Sequence, residues 1–191
     1  MGQPKLLLPW GNRTLIDQLL NAWTTSRVSE VVVVIRQNDG DLKHACVRWP
    51  VHIVQPAEDP HDMKESVQIG LRYLSQHFQP VDDDGCFIAP ADLPGLRSEI
   101  IDRLIAETSD RSTVTVPLFG DRIGHPALLP WPLTQQVFDL PHDEGVNRLV
   151  ERCRKQTVEF PAHDYFADVN TVAEYRLSLP PKDHGKARPK K

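Results

Sequence analysis

Val31-Val32-Val33-Val34-Ile35 is the longest unbroken β-branched run of the chain. A strand covered by helices on both faces carries apolar residues at every position, whereas a strand with one solvent-facing side alternates apolar and polar residues. The run therefore predicts a strand that is buried on both faces, as in a parallel sheet covered by helices.

Predicted strands and helices alternate along the rest of the chain. Apolar runs predict strands at 51–54, 86–89, 113–118, 127–129 and 157–160, and helical spacing predicts helices at 15–23, 42–47, 63–78, 98–107, 146–153 and 171–177. Thr14, with Asp17 three residues later, predicts the cap of the first helix. The alternation predicts one α/β domain, a three-layer α/β/α sandwich with a mostly parallel, Rossmann-like sheet, over residues 1–179.

Composition narrows the class of protein. The chain has 191 residues, a net charge of −4 and three widely spaced cysteines. The charge favours neither nucleic acid nor a membrane as a partner, and no apolar stretch approaches the ~20 residues of a membrane helix. The cysteine pattern predicts a reducing, cytoplasmic compartment without disulfides. The basic segment 180–191 is predicted to be a disordered tail.

Two aspartates are candidate ligands of a divalent cation. Asp92 follows the predicted strand 86–89, and open parallel sheets bind ligands outside the carboxyl ends of their strands. A carboxylate there suits Mg²⁺ that bridges phosphate oxygens, although capping of the next helix explains Asp92 equally well. Asp168 precedes the predicted helix 171–177, where capping by Asp168 or Asn170 is the more common role.

The first residues of the chain form a candidate phosphate contact. Gly2 allows a close approach of the backbone to a phosphate, and Lys5, which follows Pro4, adds a compact positive charge. Taken alone, this short pattern is weak, because a lysine near an N-terminus is usually an ordinary surface charge.

Two later segments are candidate contacts for a nucleotide or its acceptor. Ser66 lies at the start of the predicted helix 63–78, where a hydroxyl and exposed N–H groups bind an anion or cap the helix. Gly124-His125-Pro126 precedes a predicted strand, and His125 is a candidate contact for a substrate phosphate. A lone histidine is more often structural, so capping and packing remain the alternatives for both segments.

These segments together resemble, in order, the motifs of the MobA-like nucleotidyltransferases, closest to their molybdenum cofactor cytidylyltransferase branch. Members of that family begin with a strand followed by Leu-Ala-Ala-Gly-x-Ser-x-Arg-Met-Gly-x-Pro-Lys. The resemblance covers roughly residues 1–178. The similar segments of this chain are 1–15, 63–71, 90–94, 124–129, 143–147 and 168–171.

The resemblance implies a fold of the nucleotide-diphospho-sugar transferase type and a reaction. A nucleoside monophosphate is transferred to a phosphorylated acceptor such as the molybdopterin cofactor, with release of pyrophosphate. The resemblance favours CMP from CTP over GMP from GTP, and the residues leave the base open, as they do a sugar phosphate or another acceptor. A molybdoenzyme or a chaperone is an implied partner. The implied roles are catalysis for Lys5 and Asp92, nucleotide binding for Gly2, Pro4, Lys5 and Ser66, Mg²⁺ binding for Asp92 and Asp168, and acceptor binding for Gly124, His125 and Pro126.

The start of the chain departs from the family pattern. The family's first strand and its Ala-Ala-Gly-x-Ser loop precede the Met-Gly at which this sequence starts, so the domain resembles an N-terminally truncated member. One hypothesis is a nucleotidyltransferase whose sequence starts at an internal methionine. The other is a non-catalytic remnant that binds a nucleotide or a partner protein. Weak or absent turnover is expected, and the sheet is expected to close the gap, leave a cleft or pair with another chain.

Overall fold

The computed structural model describes residues 4–161 and Tyr175. Gly2, Asp168, the predicted tail 180–191 and, apart from Tyr175, the predicted helix 171–177 therefore lie outside the described residues. Tyr175 is helical, and its hydroxyl donates a hydrogen bond to the carbonyl oxygen of Pro9. The ring of Tyr175 lies 6.3 Å from that of Trp10, measured between centroids.

The helices agree closely with the sequence-based expectation. They are α1 (Leu15–Thr24), α2 (Gly40–Cys46), α3 (Met63–Phe78), α4 (Ser98–Glu107), α5 (Trp131–Thr134) and α6 (Val146–Arg152), with 3₁₀ segments at Lys5–Leu7 and Gln135–Asp139. Helix α5 is not predicted, because a four-residue helix is too short to show a periodic pattern. Among the described residues, no helix combines the length and apolar character needed to cross a membrane.

The strands include one short hairpin near the start of the chain. They are β1 (Pro9–Trp10), β2 (Arg13–Thr14), β3 (Val32–Val34), β4 (His52–Val54), β5 (Gly85–Ile88), β6 (Val114–Phe119), β7 (Arg122–Ile123), β8 (Ala127–Pro130) and β9 (Lys155–Phe160). β1 and β2 pair with Trp10 opposite Arg13. The turn between them requires Gly11, whose φ is 62°.

The longer strands form two sheets instead of one. β3 and β4 pair in parallel, with Val33 opposite Ile53. The second sheet has the order β5–β8–β6–β7, and β9 pairs with β6 in parallel. Because β8 is antiparallel to both β5 and β6, the strands β5, β6 and β9 run in one direction. The sheet is thus mixed, with β8 inserted between strands that run parallel to each other.

Helices cover both faces of these sheets. One core is built mainly on α1, α2 and α4, and its fully buried members include Leu20, Cys46, Ile101 and Leu104. The other core is built on α3, α5 and α6 together with residues of β6 and β8. β5 contributes to both, since Phe87 faces the first core while Cys86 and Ile88 face the second. This arrangement confirms the predicted three-layer sandwich.

β3 differs from its predicted environment. All three of its residues are half-buried, although the sequence predicts burial on both faces. The reason is that β3 pairs with β4 along one edge only, while a cleft along its other edge separates it from β5. Of the three outcomes expected for the sheet, the structure shows the open cleft.

Candidate functional site

The cleft between β3 and β5, called the central cleft below, has a volume of about 1030 Å³. Its apolar lining comes from α1 on one side and α3 on the other, together with the two strands. Lys5, Ser66 and Asp92 are among its polar lining residues. Three of the side chains singled out from the sequence therefore share one concave surface.

Lys5 and Asp92 are in direct contact. The ammonium Nζ of Lys5 donates a hydrogen bond to Oδ2 of Asp92, although 87 positions separate the two residues in the sequence. The Lys5 side chain is 27% exposed and that of Asp92 is 19% exposed. Both groups are therefore accessible to a ligand. The contact is formed where the segment after β5 meets the 3₁₀ segment Lys5–Leu7.

The start of α3 lies at the carboxyl ends of β3 and β4. Gly70, in the first half of α3, lies beside the side chain of Val34, the last residue of β3. The ring of Phe78, the last residue of α3, lies 5.0 Å from that of His52, the first residue of β4. Helix α3 therefore runs back along these strands, and its N-terminus, with its positive dipole end, lies at the edge formed by the carboxyl ends of the strands.

Ser66 has a structural contact as well as a position in the central cleft. Its hydroxyl donates to the carbonyl oxygen of Asp62 at 3.1 Å, and the Asp62 side chain caps α3 by accepting from the N–H of Glu65 at 2.8 Å. The hydroxyl therefore contributes to the first turn of the helix. The predicted contact between Ser66 and a nucleotide stays a prediction.

Gly124-His125-Pro126 lies near the same edge of the sheet but does not line the central cleft. Ala127 is opposite Ile88 in the antiparallel β5–β8 pair, so the three residues before Ala127 run beside the segment that follows β5. His125 is exposed, and Pro126 is buried. A side chain on Gly124 would place Cβ 2.9 Å from Cε2 of Phe119, which explains the glycine by close packing.

The polar groups of the central cleft can bind a phosphorylated ligand. They comprise a lysine ammonium, an aspartate carboxylate and a helix N-terminus on one cleft, beyond the carboxyl ends of the strands. Ammonium and N–H groups bind phosphate oxygens, and a carboxylate binds a divalent cation that bridges them. These polar groups suit a phosphorylated ligand such as a nucleoside triphosphate.

A match to a family model shows which protein family the chain belongs to. The model of the MobA-like NTP transferase domain matches residues 1–158. The chain belongs to this family. The match covers most of the described residues, and it confirms the resemblance drawn from the ordered motifs.

Curated relatives of this MobA-like domain include a probable molybdenum cofactor guanylyltransferase from Bacillus anthracis (strain CDC 684 / NRRL 3495). It is 26% identical over 182 residues, which cover 91% of this chain and 86% of the relative. The likeness therefore extends over nearly the whole of both chains. It includes residues on both sides of the central cleft.

Solved structures confirm the fold. Rv0371c of Mycobacterium tuberculosis H37Rv, in a complex with manganese, has a TM-score of 0.72 and 22% identity over 92% of this chain and 91% of its own. A 4-diphosphocytidyl-2C-methyl-D-erythritol synthase has a TM-score of 0.73 and 15% identity over 92% of this chain and 91% of its own. The likeness at these identities is one of fold, and the fold is that of the nucleotide-diphospho-sugar transferases.

The buried carboxylate of Asp17 in this MobA-like chain forms long-range contacts that were not predicted from the sequence. Asp17 accepts hydrogen bonds from Trp49 Nε1 at 2.9 Å, Arg48 Nη2 at 3.0 Å and Thr14 Oγ1 at 2.8 Å. Burial alone raises the pKa of the Asp17 carboxyl, but the hydrogen bonds from Trp49 and Thr14, with the charge of Arg48, bring the pKa below its ordinary value. The network ties α1 to the residues after α2 and so fixes the hairpin that follows Lys5.

A buried lysine fixes the start of α3. Lys64 is only 9% exposed, and its Nζ donates to the carbonyl oxygens of Pro141 at 2.6 Å and His142 at 3.1 Å. This contact holds Pro141 and His142, which directly precede the segment 143–147 that resembles a family motif, against the helix that carries Ser66. No sequence signal distinguishes Lys64 from an ordinary surface lysine, because its partners are backbone carbonyls 77 and 78 residues away.

The cysteines and the acidic groups limit the chemistry of the described part of the domain. All three cysteines are free thiols, and burial raises the pKa of Cys86, which lines the central cleft, to about 12. Cys86 is thus a thiol and not a thiolate nucleophile at neutral pH. Within residues 4–161, no three His, Cys, Asp or Glu side chains form a metal-ligand cluster. Asp168, the predicted second ligand, lies outside the described residues.

Proposed function

We propose that this domain transfers a nucleoside monophosphate from a nucleoside triphosphate to a phosphorylated small molecule and releases pyrophosphate. The observation that carries the proposal is the direct contact of Lys5 with Asp92 on the cleft that also contains the α3 N-terminus. Membership of the MobA-like NTP transferase family supports the same reaction class.

The proposed step is an in-line displacement at phosphorus. A phosphate oxygen of the acceptor attacks the α-phosphorus, the bond between that phosphorus and the oxygen bridging to the β-phosphate breaks, and pyrophosphate leaves with the electron pair. The protein positions the reactants and neutralises charge, because the phosphoryl centre needs no covalent help from a side chain. Lys5 binds the triphosphate oxygens once they displace its ammonium from Asp92.

The residues present fit a Mg²⁺ ion that is held jointly by protein and nucleotide. Magnesium is commonly bound by one or two carboxylates together with substrate phosphates and water. Asp92 is one such carboxylate, partly exposed on the cleft, and Asp168 is the proposed second. When bound, Mg²⁺ lowers the negative charge of the triphosphate. The manganese complex of the structural neighbour from Mycobacterium tuberculosis supports a divalent ion.

The remaining predicted residues are assigned to the two substrates. Ser66 and the α3 N-terminus bind the nucleotide, and Gly2 and Pro4 belong to the segment that approaches its phosphates. Gly124, His125 and Pro126 bind the acceptor, which approaches from the β8 side of the Asp92 segment. The register of β8 against β5 supports this assignment, because it places His125 beside the residues that lead to Asp92.

The base of the donor has two candidates. The segment Leu6–Trp10 resembles the cytidylyltransferase branch and favours CTP. The names of the curated relatives, probable molybdenum cofactor guanylyltransferases, favour GTP. Those names and the motif order support a molybdopterin-type acceptor, and a molybdoenzyme or its chaperone as the recipient of the product. A nucleotide-binding module without turnover is the alternative function.

Calorimetric titration of CTP and of GTP, each with Mg²⁺, tests nucleotide binding by the chain. We expect one of the two to bind, and Lys5→Met to weaken its Kd about tenfold, because a charge-assisted contact to phosphate is lost. Lys43→Met, at an exposed position of α2, is the matched control and is expected to leave the Kd unchanged. If neither nucleotide binds, or both variants behave alike, the assignment of Lys5 is wrong.

A further inference from the structure

Three polar side chains lie on one face of α3, each four residues after the one before, and all three contact the segment between α5 and α6. They are Lys64, Gln68 and Arg72. Nε2 of Gln68 donates to the carbonyl oxygen of Val137 at 3.0 Å, and Cζ of Arg72 lies 5.1 Å from the ring centroid of Phe138. The connection between α5 and α6 is therefore fixed along the length of α3.

Lys64 contacts the end of this segment that lies at the carboxyl ends of the strands. Of the three side chains it is the nearest to the N-terminus of α3, and its partners come later in the segment than those of the other two. The segment therefore runs antiparallel to α3. It reaches the edge of the sheet at which Ser66 lies and at which His125-Pro126 lead into β8.

The ammonium of Lys64 closes a turn of the chain at this edge. The carbonyl oxygen of Pro141 accepts from Lys64 Nζ at 2.6 Å and also from the N–H of Glu144 at 3.0 Å. The side chain of Glu144 is held in turn by α6, because its Oε1 accepts a hydrogen bond from Nη2 of Arg152. The turn 141–144 is thus attached to α3 by Lys64 and to α6 by Glu144.

The contact of Lys64 contributes more to the position of the turn than to stability. Lys64 is only 9% exposed, and its hydrogen-bond partners among the described residues are two neutral carbonyl oxygens. A buried cation is costly, and its replacement by an apolar side chain of similar size is often neutral for stability. Without the ammonium, the carbonyl oxygen of Pro141 keeps the N–H of Glu144 as a donor. What is lost is the attachment of the turn to the start of α3.

We propose that Lys64 is a positioning residue for the phosphorylated acceptor. Its ammonium sets the turn 141–144 beside the start of the helix that carries Ser66, so that the turn forms one wall of the acceptor site. His142 and Asp143, both exposed, give this wall one side chain that can donate a hydrogen bond to a phosphate and one that accepts from an N–H or O–H group. The inference rests on the proposed nucleotidyl transfer and adds to it a residue that touches neither substrate.

The test compares two substitutions of Lys64 with the unmodified chain. Lys64→Met approximates the length of the side chain and removes the charge, whereas Lys64→Arg keeps a cation that can donate to the same carbonyl oxygens. Lys43→Met makes the first change at an exposed position of α2 and is the matched control. The KM for molybdopterin as acceptor and kcat are measured with Mg²⁺ and CTP or GTP, and the nucleotide Kd is measured by calorimetry. Amide hydrogen exchange at Glu144, with Val116 of β6 as the internal reference, requires no activity.

We expect Lys64→Met to raise the KM for the acceptor about tenfold and to change kcat and the nucleotide Kd by less than about threefold. Nucleotide binding is spared because the Asp62 side chain caps α3 without help from Lys64. Exchange of the Glu144 amide is expected to become about tenfold faster relative to Val116. Lys64→Arg is expected to restore most of the affinity for the acceptor, and Lys43→Met to behave as the unmodified chain does.

An acceptor KM for Lys64→Met within about twofold of the unmodified chain would overturn the inference. A raised KM with unchanged exchange at Glu144 would also overturn it, because Lys64 would then contact the acceptor directly. A parallel fall of kcat, nucleotide affinity and melting temperature would show a purely structural role. Absence of transfer by the unmodified chain would overturn the proposed function and the acceptor role with it, whereas exchange at Glu144 would still show whether Lys64 fixes the turn.

Discussion

Asp92→Asn is expected to lower kcat/KM for nucleotidyl transfer by about 10²-fold or more. The substitution keeps the size of the side chain and removes the negative charge that faces Lys5 on the central cleft. A site that accelerates the reaction by placing charged groups around a triphosphate stabilises the transition state less when one of those charged groups is neutralised. The measurement is the initial rate of transfer of an α-phosphate label at several nucleotide and Mg²⁺ concentrations.

Two controls separate this effect from unfolding and from a general change of charge. Thermal melting of Asp92→Asn is expected to stay close to that of the unmodified chain, because the Asp92 side chain is partly exposed. Asp121→Asn makes the same chemical change in the exposed turn between β6 and β7 and is expected to leave the rate unchanged. A rate for Asp92→Asn within twofold of the unmodified chain would contradict the proposed role.

Asp17→Ala is expected to lower the free energy of unfolding by about 3 kcal/mol, which corresponds to roughly 6–12 °C in melting temperature for a domain of this size. The change removes the acceptor for Trp49, Arg48 and Thr14 and leaves the indole N–H of Trp49 without its partner. It also removes the Asp17 side-chain half of the capping box of α1, the helix that follows the β1–β2 hairpin. Chemical denaturation at pH 7 measures the loss.

The pH dependence of that difference has a defined sign. The folded-state pKa of Asp17 lies below its ordinary value of 3.8, so the stabilisation from the ionised carboxylate is present in full above that ordinary, unfolded-state pKa. It is lost as the pH falls through the lower folded-state pKa. The stability gap between the unmodified chain and Asp17→Ala is therefore expected to stay constant from pH 5 to pH 8 and to shrink below about pH 4.

Asp82→Ala, at an exposed position before β5, is the matched control for Asp17→Ala and is expected to change stability by less than about 0.5 kcal/mol. Equal stability of the two variants would show that the Asp17 network does not fix α1. A gap that widens on acidification would contradict the assigned direction of the pKa.

Local sequence signals were sufficient to predict most of the helices and strands. Helices α3 and α4 occupy the predicted residues, since their periodic apolar positions and end signals are contained within the segments themselves. The predicted cap at Thr14 is present as a reciprocal capping box with Asp17. The burial of β3 was predicted wrongly. Its valines indicate that the strand can be buried on both faces, but they do not show whether a second strand pairs with its other edge.

The candidate site was predictable in part for the same physical reason. Asp92 lies between β5 and α4, and Ser66 lies at the start of α3, which follows β4. The topology therefore brings both residues to the edge formed by the carboxyl ends of the strands, and Lys5 lines the same cleft. The contacts of Lys64 and the contacts of Asp17 with Arg48 and Trp49 could not be predicted. Their partners are distant in sequence, and backbone carbonyls and single side chains leave no periodic or motif signal.

Measuring transfer of the α-phosphate to an acceptor tests most directly whether the domain is a nucleotidyltransferase. The chain is incubated with Mg²⁺, a molybdopterin-type phosphorylated acceptor and CTP or GTP labelled at the α-phosphorus, and the label and pyrophosphate are followed together. We predict that the label moves to the acceptor in equal amount to the pyrophosphate released, and that Asp92→Asn slows this transfer. Binding of the nucleotide with no movement of the label, or movement that Asp92→Asn leaves unchanged, would contradict the account.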